Sequence, residues 1–121
     1  MAARQRQTYG EEVANVLTHG AGMLFGMTAI IVLMMAAIRS GNPWAIGSFA
    51  VYAVCMTLSY VTSTFYHAST HARQKRLLRR FDHGAIYLHI AGTYTPFTLL
   101  ALRQEGYWGW SLFAVIWIAA V

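Results

Sequence analysis

The placement of its charges constrains this chain more than any other feature. No Asp, Glu, Lys or Arg occurs in Val13–Ile38, Ser40–Ala72, Gly84–Leu102 or Gly106–Val121. A membrane-spanning helix takes about 20 mostly apolar residues, and three of these runs supply them. The pattern predicts spans over about 16–38, 44–66 and 83–102. A fourth apolar segment, 107–121, stops after about fifteen residues, too few to cross comfortably. Ser40-Gly41-Asn42-Pro43 separates the first two runs, because Gly, Asn and Pro favour turns. Arg73–Asp82 reads as a basic polar loop and Arg103-Gln104-Glu105-Gly106 as a short turn. The fold class that follows is all-α, a polytopic transmembrane helix bundle in one domain over residues 1–121. It has three full spans and a truncated fourth. Ile116–Val121 carries no charge, Gly or Pro to end a helix, so the chain is expected to be a piece of a longer membrane protein. A short protein with a re-entrant last helix is the alternative.

Composition agrees. Charged residues make up 11% of the chain and hydrophobic ones 57%, where a soluble domain carries about 25% charge. Three long apolar stretches leave too little polar surface to cover them as buried helices of a soluble protein. Disorder is excluded by the same arithmetic, and one cysteine excludes an intrachain disulfide framework or a multi-cysteine zinc knuckle. The first run is longer than a signal peptide's apolar region, follows Glu11 and Glu12, and ends without a small-residue cleavage site. The net charge of +5 does not point to nucleic acid, since the cations cluster between apolar runs. Arg4, Arg6, Arg73, Lys75, Arg76, Arg79 and Arg80 fall on one side, and only Arg39 and Arg103 on the other. The positive-inside rule then places the N-terminus and the basic segment in the cytoplasm. Trp44, Tyr107, Trp108 and Trp110 form an aromatic belt at the opposite interface. The basic segment sets this topology and is also able to touch anionic lipid.

Ionisable groups within spans are costly and mark function. Glu12, Asn15 and His19 share one face of the first helix at its cytoplasmic end. Ser63 and His67 close the second helix at the same side, four residues apart. Asp82 and His83 open the third helix there. Three helices thus bring polar groups to one membrane depth. Neutral imidazole ligates metals, and a catalytic zinc site has three protein ligands and an open position for water. His67 as ligand, Asp82 as the partner of that water, and Ser63 as a hydrogen-bonding neighbour suit such a site. Simpler readings stand beside these. His67 reaches the interface, Glu12 caps its helix, His71 is solvated in the loop, and His83 is interfacial. His89 lies about 10 Å deeper than Asp82 by helix rise and is read as a packed or interhelical group. Gly22 and Gly26 form a Gly-x-x-x-Gly suited to close helix packing. Thr93-Tyr94-Thr95-Pro96 predicts a kink in the third span.

Glu12-x-x-Asn15-x-x-x-His19-Gly20, Ser63-Thr64-Phe65-Tyr66-His67 and Phe81-Asp82-His83-x-x-Ile86-Tyr87-x-x-x-Ala91-Gly92-Thr93-Tyr94-Thr95-Pro96-Phe97 resemble the bacterial hemolysin III family, within the progestin and adipoQ receptor superfamily. The resemblance runs from Glu11 to the end of the chain. It implies a seven-helix bundle in the bacterial inner membrane, with zinc near the cytoplasmic face. His67 matches one zinc ligand, Asp82 matches the residue that holds the water at the metal, and Ser63 matches the serine associated with that centre. The two other ligands implied are a His-x-x-x-His on a last helix that this chain does not contain, so the remaining C-terminal helices would be partners, with membrane lipids. The activity implied is either hydrolysis of a ceramide-like lipid amide or cytolysis by pore formation. A non-catalytic sensor of membrane lipid is the third possibility.

Overall fold

The structure is a computed structural model that describes residues 8–121. Arg4 and Arg6, counted above for orientation, lie outside the described residues. Helix α1 runs Tyr9–Ser40, α2 Pro43–Ala68, α3 Ala72–Pro96 and α4 Trp108–Ala120, and a π-helical turn, Phe97–Ala101, continues α3. The described residues are a membrane bundle of helices in which α1 packs on α2, α2 on α3, and α3 on α4. Helices α1 and α2 are each long and apolar enough to cross a membrane.

Local chemistry explains the boundaries. Thr8 caps α1 with a capping box: its Oγ1 accepts from Glu11 N–H at 3.3 Å, and its own N–H donates to Glu11 Oε2 at 2.7 Å. The helix therefore begins two turns before the apolar run. Glu11 does the capping, which leaves Glu12 free for another role. Gly41 takes the left-handed conformation (φ 63°) that ends α1. Asn42 caps α2, its Oδ1 accepting from Trp44 N–H at 3.0 Å, with Pro43 at the first helical position.

The segment 73–82, expected as a loop, is helical. Gln, Lys, Arg and Leu are strong helix formers, and the first turn closes with Lys75 N–H donating to His71 C=O at 2.9 Å. Asp82 and His83 consequently sit in the third turn of α3 and do not open it. His71, the residue before the first turn, is exposed. The residues expected as the third span, 83–102, fall in the apolar half of α3 and the π turn.

The kink expected at Pro96 takes the form of that turn. Proline has no N–H to give the carbonyl four residues back, and the chain beyond it widens: Leu102 N–H donates to Phe97 C=O at 3.3 Å, five residues earlier. Thr95 and Thr98 are 1% and 0% exposed. Thr98 Oγ1 donates to the carbonyls of Tyr94 and Thr95, at 3.0 and 3.1 Å. Thr95 Oγ1 donates to Ala91 C=O at 2.8 Å and accepts from the Trp117 indole N–H at 3.1 Å, pinning α4 to α3. Thr95→Val keeps the shape and orphans the indole donor. It should lower stability by about 1–2 kcal/mol in an SDS unfolding titration in mixed micelles, whereas Thr95→Ser should lose less than half of that. Equal losses would show that the hydroxyl is not what matters.

The Gly-x-x-x-Gly of α1 packs closely, as expected. A Cβ on Gly22 would lie 2.7 Å from Tyr60 Cε1, and one on Gly26 would overlap the Met56 side chain. At the far end of the bundle Trp44 meets Trp110 edge-on, ring centroids 5.8 Å apart, and the Arg103 guanidinium lies 4.3 Å from the Trp44 ring centroid. Of the four residues of the expected aromatic belt, Trp44 and Trp110 thus pack together, whereas Tyr107 and Trp108 are exposed.

Candidate polar centre at one end of the bundle

The start of α1, the end of α2 and the start of α3 meet at the opposite end from the tryptophans. The residue that joins them is Glu12. His67 Nδ1 lies 2.7 Å from Glu12 Oε2. A carboxylate only accepts, so this ring nitrogen carries the hydrogen and donates. The Lys75 ammonium donates to the other oxygen, Oε1. One carboxylate thus ties α2 and α3 to α1. The side chains are partly withdrawn from solvent: His67 is 8% exposed, Glu12 17% and Lys75 28%. Asn15, one turn above Glu12, brings its amide nitrogen to 3.4 Å from His67 Nδ1; turning the amide about its axis would present its oxygen to that N–H instead.

Aromatic rings enclose the imidazole. Tyr66 lies 4.6 Å from His67 between ring centroids, and His19 lies 5.7 Å away. Lys75 also sits 5.2 Å from the Tyr66 ring centroid, a cation–π arrangement. His19 in turn touches Tyr60 at 6.2 Å. Of the residues singled out from sequence, Glu12, Asn15, His19 and His67 converge here. Lys75 belongs with them and was read there only as one of five cations setting topology. Its place one turn into α3, directly opposite Glu12, depends on the helical form of 73–82.

The other expected members are placed differently. Ser63 is buried on α2, one turn deeper than His67, and no hydrogen bond joins it to this cluster among the described residues. Asp82 is half-buried on α3 and likewise forms no ion pair or hydrogen bond with the cluster among those residues. His83 is exposed. His89 packs between α2 and α3 against Tyr52 and Tyr60, centroids 6.4 and 5.9 Å apart, as a packed group should.

The cluster fits a metal in one respect. With Nδ1 committed to Glu12, a neutral His67 ring has its lone pair on Nε2, the arrangement in which a carboxylate fixes the tautomer of a ligating histidine. In another respect it falls short. No group of three His, Cys, Asp or Glu side chains able to hold a metal ion occurs among the described residues. These residues offer one ligand of the three that a catalytic zinc site takes.

Comparison with known proteins adds a lineage. A family model described as "Haemolysin-III related" matches residues 7–121. "Hemolysin-3" of Bacillus cereus is 45% identical over 118 residues, covering 98% of this chain and 53% of that protein. "Hemolysin-3 homolog" of Bacillus subtilis (strain 168) is 43% identical over 114 residues, covering 94% of this chain and 53% of that protein. The chain spans about half the length of these curated relatives. No solved structure matches it.

Proposed function

The chain belongs to the Haemolysin-III related family, and from that premise we propose that it contributes one end of a zinc-dependent membrane hydrolase acting on a ceramide-like lipid amide. The observation that carries the proposal is the clamp on His67. A carboxylate shared with an ammonium holds the ring in the tautomer that leaves Nε2 free, which is how a ligating histidine is prepared. His67 would hold the metal, with the remaining ligands from helices beyond this half. Zinc, when bound, supplies a Lewis acid at the carbonyl to be cleaved. Asp82 would take the proton of the attacking water, and Ser63 would hydrogen-bond the site from one turn deeper. The proposed setting is the bacterial inner membrane with the N-terminus in the cytoplasm, supported by the seven cations against two.

The test is metal content and turnover of the full-length protein that contains this chain. Wild type should carry about one zinc per protomer and release fatty acid from a short-chain ceramide. His67→Ala should lose at least nine-tenths of both. Full zinc occupancy in that variant would remove His67 from the ligand set. Dye leakage from liposomes that survives His67→Ala, without amide cleavage by wild type, would favour the cytolytic reading instead.

A further inference from the structure

Lys75 is the single lysine among nine lysines and arginines, and it is the cation that meets Glu12. Its surroundings come from all three helices at this end. The ammonium, on α3, donates to Glu12 Oε1 of α1, while His67 Nδ1, on α2, lies 2.7 Å from Oε2 of the same carboxylate. The ammonium also stands 5.2 Å from the centroid of the Tyr66 ring, and that ring lies 4.6 Å from the ring of His67. Lys75 therefore reaches His67 through two neighbours, a carboxylate and an aromatic ring. Its side chain is 28% exposed, whereas the next residue, Arg76, is exposed.

The residue type suits a shared acceptor. An ammonium is a point donor that one carboxylate oxygen satisfies, which leaves the other oxygen to His67. A guanidinium forks over both oxygens and would take Oε2 from the imidazole. Two donors on one carboxylate also oppose each other. Each draws negative charge toward its own oxygen, so the ammonium on Oε1 makes Oε2 a weaker acceptor for the ring N–H. A carboxylate that accepts from a ligating imidazole raises the basicity of that ligand and strengthens its bond to a metal. Weakening the acceptor lowers the basicity and loosens the bond.

We propose that Lys75 is a positioning residue that sets how tightly His67 holds the metal: it keeps the Glu12 carboxylate in place and weakens that carboxylate's pull on the imidazole. The inference rests on the reading of His67 as a metal ligand and gives that site a regulator. A plain tie between α1 and α3 predicts the reverse. Losing the ammonium would then free the carboxylate and loosen the metal with it, and arginine would serve as well as lysine.

The experiment measures the zinc affinity of the full-length protein that contains this chain, by competition with a chromophoric chelator in detergent. Lys75→Met should bind zinc about three- to fivefold more tightly, the share of a charge-assisted hydrogen bond that the ammonium withholds. Lys75→Arg keeps the charge and should bind about tenfold more weakly, as when a ligand loses its outer partner. Glu12→Gln should weaken binding by about the same factor. Adding Lys75→Met to Glu12→Gln should change the affinity less than about twofold, because the ammonium acts through the carboxylate. Proton NMR of the metal-free protein, edited through labelled histidine nitrogen, gives a second readout. The His67 Nδ1–H resonance should move downfield in Lys75→Met and upfield in Lys75→Arg. Unchanged or weaker zinc binding in Lys75→Met would overturn the inference, and so would wild-type affinity in Lys75→Arg. A gain that persists beside Glu12→Gln would mean direct repulsion between cations and would overturn it as well. Zinc affinities that follow the expected signs without cleavage of a ceramide would uphold it and remove the hydrolase reading alone. Wild type that binds no zinc, or full occupancy in His67→Ala, would overturn both the inference and the ligand assignment beneath it.

Discussion

Replacing Gly92 by valine is expected to separate α2 from α3 and to lower stability by about 3 kcal/mol, the upper range for overpacking. A Cβ at Gly92 would lie 2.5 Å from Cys55 Cβ, 3.0 Å from its Sγ and 3.6 Å from Tyr52 Cα. The first and last of these atoms are backbone or one bond from it, so no rotamer change relieves the clash and the whole helix must move. Helix association within a membrane rests on close packing rather than on escape from water, which makes a lost approach of two backbones expensive. Gly84 on the same helix is the control: its built Cβ meets nothing within 4 Å, and alanine there should be neutral or stabilise by about 0.5–1 kcal/mol through helix propensity. An SDS unfolding titration of the two variants checks both signs. Equal behaviour of Gly84→Ala and Gly92→Val would show that α2 and α3 do not pack through this glycine.

Glu12→Ala should cost about 2–3 kcal/mol, because it strips two donors of their acceptor at once. Hydrogen bonds to a charged group are worth about 1.5–3 kcal/mol net, and removing one member of a buried ion pair costs more than the pair contributed. Here the pair is only partly buried, with Lys75 28% exposed, so the ammonium recovers some hydration and the loss stays below the fully buried case. Lys75→Met should cost about 1 kcal/mol, since Glu12 keeps His67 as a partner. A double-mutant cycle between these two positions should return a coupling of about 1 kcal/mol. Glu12→Gln keeps an acceptor for the His67 N–H and should recover about half of the alanine loss. A coupling near zero would falsify the three-helix tie.

The span pattern, the turn at Gly41-Asn42 and the gathering of Glu12, Asn15, His19 and His67 were legible because each depends on one helix and its period. Glu12, Asn15 and His19 share a face by spacing alone, and His67 ends a run whose length fixes its depth. What was not legible depends on partners between helices or on competition within one. The segment 73–82 looks like a loop by charge, yet its residues are strong helix formers, and propensity decides where no apolar face is demanded. Lys75 was hidden for the same reason, since only a helical 73–82 sets it opposite Glu12. Asp82 shares a depth with His67 only if the third helix opens there; α3 begins at Ala72, which puts Asp82 seven residues, about 10 Å of rise, beyond the Lys75 that meets Glu12, and the structure joins it to no member of the cluster. The π turn after Pro96 was legible as a kink and not as a widening, because proline's missing N–H announces a break in the helix ladder but not the five-residue spacing, Leu102 to Phe97, at which the ladder resumes.

The tryptophan contact at the far end ties α4 to α2: Trp44 and Trp110 touch and Arg103 lies against the first of them. Two turns further along α4 the Trp117 indole donates to Thr95 of α3. Like a rod held by two pins, a helix fastened at two points along its axis has its inclination set by both, so loss of either one would free α4 to swing about the other.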